Sequence, residues 1–87
     1  MMTPGKLYIS VSKVSIGIWS MAGTSVASKL LDTIKPGEPF VFIGFGQREI
    51  PLASDNIFVS LKVLNHDGVV GFTSFLPLDF FKEAREQ

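Results

Sequence analysis

Ile57-Phe58-Val59-Ser60-Leu61-Lys62-Val63-Leu64, then Asn65-His66-Asp67-Gly68, then Val69-Val70-Gly71-Phe72-Thr73: this run from residue 57 to residue 73 decides the fold class. Ile57, Val59, Leu61 and Val63 recur at every second position against Phe58, Ser60 and Lys62. Successive side chains of a strand point to opposite faces, so the pattern predicts a strand with its odd-numbered face buried. Asn, Asp and Gly tolerate the backbone of a tight reversal, and the β-branched and aromatic residues beyond them start a second strand. The whole predicts a β-hairpin with a four-residue loop. Phe72, the large aromatic of the returning strand, is expected inside the core.

The same period recurs toward the N-terminus. Leu7, Ile9 and Val11 alternate, and then Val14, Ile16 and Ile18 do so on the other parity. The shift predicts a bulge or turn at Ser12-Lys13, because a one-residue slip would otherwise turn one set outward. Two short strands, or one broken strand, fit. Ser20 to Ser28 is small and polar apart from Met21 and Val26 and reads as a loop, and no charge occurs from Val14 to Ser28. Lys29 to Ile34 is a brief apolar segment. Lys35-Pro36-Gly37-Glu38-Pro39 is a turn, since Pro fixes φ and Gly accepts positive φ. Phe40-Val41-Phe42-Ile43 then forms a strand that Gly44-Phe45-Gly46 ends, and residues 44–56 read as the longest connection, pinned by Ile50 and Leu52. Beyond the hairpin, Ser74 to Leu78 with Pro77 reads as a turn. Asp79 caps a short helix from Phe80 to Glu86, which must dock through Phe80 and Phe81 because two turns cannot stand alone.

Eighty-seven residues allow a single domain, 1–87, and at 46% hydrophobic residues they supply ample core for it. Eight Lys plus Arg balance eight Asp plus Glu, so the excess positive charge that a polyanion needs is missing and nucleic acid is not the expected partner. Charged residues total only 18%, which leaves more uncharged and apolar surface than usual and predicts a protein partner or self-association. With no cysteine, disulfides, thiolate zinc sites and thiol nucleophiles are excluded together. Met1 to Lys6 lacks the pattern of a signal peptide, and the apolar run Phe40 to Ile43 is far short of the ~20 residues that span a bilayer. The expected location is therefore the cytoplasm or a virus particle assembled there, with no membrane contact.

Short strands at close spacing, one long early loop, a Lys-Pro-Gly turn and a late hairpin together resemble the bacterial SH3-like (SH3b) barrel family over most of the chain. Lys29 to Gly44 looks like the family's stretch that leads through a "lysine, any residue, glycine" turn into the next strand. Ile16, Ile18 and Ser20 stand where its first barrel strand enters the long loop. Lys62-Val63 with Asp67 to Thr73 resembles its late hairpin, and Phe75-Leu76-Pro77-Leu78 its closing turn. The fold expected is thus mainly β: a small SH3-like barrel of about five strands with a short C-terminal helix. The early loop lacks the acidic cluster with which eukaryotic SH3 domains hold basic proline-rich peptides, so that ligand class is not expected.

Catalytic and metal chemistry finds little footing. His66 beside Asp67 lies at a hairpin tip, where adjacent residues seldom hold a base in a pocket. One His and no Cys leave no zinc or EF-hand spacing, so neither metal nor cofactor is expected. Gly44-Phe45-Gly46 lacks the third glycine and helix of a phosphate loop. Alternation turns Tyr8 and Trp19 outward, although Trp19 packed beneath the loop is the competing reading. With Met21 adjoining and Arg48 on the rim, these residues make the expected recognition surface. The role expected is a non-enzymatic protein-interaction module, as in a small phage or prophage accessory or virion protein. A cell-wall ligand-binding module, which the family resemblance implies, and an RNA- or ribosome-associated barrel are the alternatives.

Overall fold

The computed structural model describes residues 2–21, 27–49 and 58–84, with the backbone alone for 47–49. Its strands are β1 (Leu7–Ser10), β2 (Ile16–Trp19), β3 (Leu30–Ile34), β4 (Phe40–Glu49), β5 (Phe58–Leu64), β6 (Val70–Thr73), β7 (Leu76–Pro77) and β8 (Phe81–Glu83), with a 3-10 turn at Leu78–Phe80. They form one sheet in the order β3, β2, β6, β5, β4, β1, β8, every pairing antiparallel, and β7 adds to β5 beside this path. Ile34 from one end of the sheet and Phe81 from the other belong to the same core cluster. A single sheet can bury both only by curling round its own inner face.

The hairpin that decides the fold class forms as its alternation predicts. Lys62, Val63 and Leu64 of β5 stand opposite Phe72, Gly71 and Val70 of β6. Val59, Leu61 and Val63 are buried on the inner face. The loop closes through Asn65 N–H to Val69 O at 3.0 Å and Gly68 N–H to Asn65 O at 3.1 Å. Gly68 takes φ +83°, which a residue with a Cβ rarely adopts. The register nevertheless places Phe72 differently from expectation. Gly71 and Thr73 face inward, and Phe72 lies half-buried on the outer face. A Cβ at Gly71 would sit 2.6 Å from Ile18 Cγ2 and 2.6 Å from the Trp19 carbonyl oxygen, so only glycine lets β2 approach this closely. Thr73 keeps its inward polar group satisfied by accepting from Leu61 N–H at 3.0 Å, and Ser60 Oγ–H donates to Thr73 O at 2.7 Å.

The two alternating runs near the N-terminus become two strands that do not pair with each other. β2 has the expected parity, with Ile16 and Ile18 buried. In β1 the parity is reversed: Tyr8 is inside and Leu7 is exposed, against the expectation of an outward Tyr8. Its ring meets Phe42 edge-on at 5.9 Å between centroids and lies 6.5 Å from Phe40. Burial is tolerable because its hydroxyl accepts from Thr3 N–H at 2.6 Å. Ser10, also inward, accepts from Ser12 N–H at 3.0 Å. Polar side chains whose bonds close locally can occupy the inner face, and the aliphatic residues beside them then turn outward. Val11 and Val14 are likewise exposed.

Three further expectations are corrected. β4 does not stop at Gly44; it runs on to Glu49 opposite β5, with register shifts at Phe42/Gly44 and Phe45/Gln47 that absorb the glycines. Residues 44–49 are therefore strand rather than connection, while Ile50 and Leu52 lie outside the described residues. Phe75 to Leu78 includes the short strand β7, whose Pro77 stands opposite Phe58 at a position where a missing N–H is tolerated. No C-terminal helix forms over Phe80 to Glu83. Asp79 makes no cap, and Ser10, Ile9 and Tyr8 of β1 pair with Phe81, Lys82 and Glu83 of β8. A two-turn helix has a costly nucleus, whereas the open edge of β1 offers a ladder at once. Docking does occur through Phe81, whose ring meets Phe40 edge-on at 5.8 Å, with Phe80 against the same cluster. In place of a five-stranded barrel with a helix, the described residues form an eight-stranded antiparallel sheet.

Candidate functional site

Cross-strand pairing aligns the outward side chains into rows. In the first, Leu30 of β3 stands opposite Trp19 of β2, Trp19 opposite Phe72 of β6, Phe72 opposite Lys62 of β5, and Lys62 opposite Gly44 of β4. In the second, Val70 of β6 stands opposite Leu64 of β5, Leu64 opposite Val41 of β4, and Val41 opposite Leu7 of β1. The rows meet on β5 and β6, where residues two apart share a face. Directly opposed side chains lie about 5 Å apart at Cβ, so the rows make one continuous apolar surface. Leu30, Val70 and Leu7 are 51%, 46% and 44% exposed, while Trp19, Phe72, Val41 and Leu64 are half-buried.

Trp19 lies flat across its own strand. A Cβ at Gly17 would stand 2.9 Å from the indole Nε1 and 3.0 Å from Leu30 Cδ1, so the ring and the leucine close over the glycine. Lys62 is the only charged residue in the rows, and its ammonium lies 5.9 Å from the centre of the Phe72 ring, within cation–π reach.

Of the residues expected to form the recognition surface, Trp19 lies in this face and Tyr8 is withdrawn into the core. Met21 is 46% exposed just beyond β2, where its carbonyl accepts from Ser28 Oγ–H at 3.3 Å. The ends of the expected loop are closed by Ser20 N–H to Lys29 O and Lys29 N–H to Ser20 Oγ, both 2.9 Å; residues 22–26 lie outside the described residues. Arg48 has its backbone opposite Val59, and its side chain lies outside the described residues. Phe72, Val70, Leu64, Val41, Leu7 and Leu30 were missed. The parity of β5 holds a signal for one of them: once Lys62 is outward, Leu64 shares its face.

Two other clusters compete. At one end of the sheet, His66 Nδ1 lies 2.6 Å from Glu38 Oε1 and its Nε2 3.3 Å from Asp67 Oδ1. Beneath them buried Asn65 accepts at Oδ1 from Asp67 N–H and Val69 N–H, and donates through Nδ2 to Asp32 Oδ2 at 2.9 Å. That amide, and next the Thr33 backbone N–H, hold the Asp32 carboxyl below its ordinary value. The cluster ties β3 and the β3–β4 turn to the hairpin, and its bonds are used within the fold. Among the described residues no group of His, Cys, Asp and Glu is arranged to hold a metal ion.

The second cluster is a cavity of roughly 280 Å³ between β1 and β8, walled by Met2, Tyr8, Leu78, Phe81, Lys82 and Glu83. It falls just below the usual range for small-molecule sites, and its Glu83 is occupied by Lys6 at 3.5 Å. No described helix is long and apolar enough to cross a membrane. Comparison with known proteins gave no match to a family model, a curated protein or a solved structure.

Proposed function

We propose that this chain is a non-enzymatic protein-interaction module that docks through the outer face built on Trp19 and Phe72. The observation that carries this reading is the continuity of the two apolar rows across six neighbouring strands, broken by a single charge. Small domains seldom leave contiguous apolar surface exposed unless something covers it. Aromatic side chains at the centre of such a patch are the usual energetic anchors, because they bury large area at little entropic cost.

Kinship with the bacterial SH3-like barrels belongs to the same proposal. It is supported by an antiparallel sheet curled on one core, by Gly37 at φ +76° in the Lys35-Pro36-Gly37 turn, and by the late hairpin. A small phage or prophage accessory protein, cytoplasmic or carried in the virion, is the setting we propose. A cell-wall ligand-binding module is the alternative. An RNA-associated barrel finds less support, since one lysine in the face offers little phosphate neutralisation.

The test compares affinity capture from the source cell by the wild-type chain and by Phe72→Ala, both checked for folding by far-UV circular dichroism. A protein retained by the wild type and lost from the folded variant is the expected result. Equal retention by both overturns the proposed face.

A further inference from the structure

We propose that the occupant of the outer face is an apolar polypeptide segment carrying a carboxylate, seated across β6, β5 and β4 so that the carboxylate meets Lys62. The inference rests on the docking reading above and adds the chemistry of the partner.

Lys62 carries the argument. It is exposed, it lies amid apolar neighbours, and no described residue supplies it with a carboxylate. Among the described residues its ammonium faces the ring of Phe72, at 5.9 Å from the centroid. Covering the face with a purely apolar partner would strip water from an ammonium and leave it without a counter-charge, which opposes binding. A second copy of the chain docked through the two rows would bring a second Lys62, and the rows contain no carboxylate to meet it. A carboxylate on the partner turns that cost into a charge-assisted hydrogen bond in surroundings of low dielectric.

The space for that group is already present. Gly44 stands opposite Lys62 on β4, and a Cβ built on it would meet nothing within 4 Å. Lys62 is thus flanked by the open space over Gly44 on one side and by Phe72 on the other, and Leu64 and Val70 follow on the same face. A partner side chain ending in a carboxylate fits above Gly44 while its apolar neighbours cover Leu64 and Val70. A nucleic-acid backbone would present many phosphates to this single cation, and the apolar remainder of the face would be unmatched.

The experiment selects twelve-residue peptides from a random library displayed on phage, using the full chain as bait, in parallel with Lys62→Glu, Lys62→Gln and Val70→Gln. Positions 62 and 70 are exposed, and amide NMR spectra check each bait for folding. The wild type should enrich peptides with Asp or Glu between apolar residues. Lys62→Glu should exchange that preference for Lys or Arg, and Lys62→Gln should abolish it. Val70→Gln should bind the selected acidic peptides at least about tenfold more weakly. Enrichment of apolar peptides with no charge preference, or an unchanged preference in both Lys62 variants, overturns the acidic partner while leaving the docking face. No enrichment at all, or binding indifferent to Val70→Gln, overturns the face together with its partner.

Discussion

Tyr8 and Trp19 occupy equivalent positions in the sequence, each an aromatic beside an aliphatic residue in a short strand, yet they end on opposite faces of one sheet. Around Tyr8 the rings of Phe40, Phe42, Phe45 and Phe81 close in a chain of tilted and edge-on contacts. Around Trp19 the neighbours are Phe72, Leu30 and Gly17, and the surface stays open to solvent. Both regions are rich in aromatic area. They differ in what closes over them: the inner face is covered by the sheet's own curl, and the outer one stays exposed and is the face we propose for a partner. Substitutions inside should therefore act on stability, and substitutions outside on binding.

The sharpest contrast is expected from Phe42→Ala, which should lower unfolding free energy by about 3–5 kcal/mol, the usual range for deleting a buried aromatic. Urea titration reads it directly, and a loss below about 1 kcal/mol would break the division between the faces. Gly71→Ala comes next, at about 1–3 kcal/mol, because its new methyl collides with a backbone oxygen and with Ile18 rather than with a yielding side chain. Thermal unfolding should show the shift, and a neutral result would mean that β2 and β6 lie farther apart than described.

Tyr8→Phe keeps the ring and removes the acceptor of Thr3 N–H, for an expected loss of about 1 kcal/mol by the same titration. No loss would place the hydroxyl in water and weaken the reversed parity of β1. That reversal shows where sequence reasoning runs out. The β5–β6 hairpin is legible because its two periods and its Asn-His-Asp-Gly loop agree with each other. In β1 hydrophobicity alone selects Leu7, Ile9 and Val11 for the inside, and nothing local reveals that Thr3 and Ser12 will satisfy Tyr8 and Ser10. The C-terminal segment is misread for a related reason: Asp79 and the residues after it carry helix signals, while the edge of β1 that captures Phe81 to Glu83 lies more than seventy residues away. The proposed docking face is half legible. Trp19 follows from the parity of β2, but its partners across the rows depend on register, which no single strand discloses.

The smallest effect concerns acid. Because the Asn65 amide and the Thr33 N–H favour the ionised form of Asp32, its folded-state value lies below the ordinary 3.8. Its stabilisation is then complete at neutral pH and is lost as pH falls through that lowered value. Unfolding followed from pH 5 down to pH 2 should show a shallower acid-side decline in Asp32→Asn than in the wild type. Identical slopes would remove Asp32 from the ties between β3 and the hairpin.

Whether one face of this sheet makes the fold while the other meets a partner is decided by Phe72→Ala. Stability and peptide affinity are measured on the same sample. The variant should stay folded, losing no more than about 1.5 kcal/mol for a half-buried ring, while affinity for a peptide selected by the wild type falls at least about thirtyfold, a loss of about 2 kcal/mol. A variant that unfolds would put Phe72 in the core, and a folded variant that binds as tightly as the wild type would place the partner elsewhere; either result abolishes the division between the two faces.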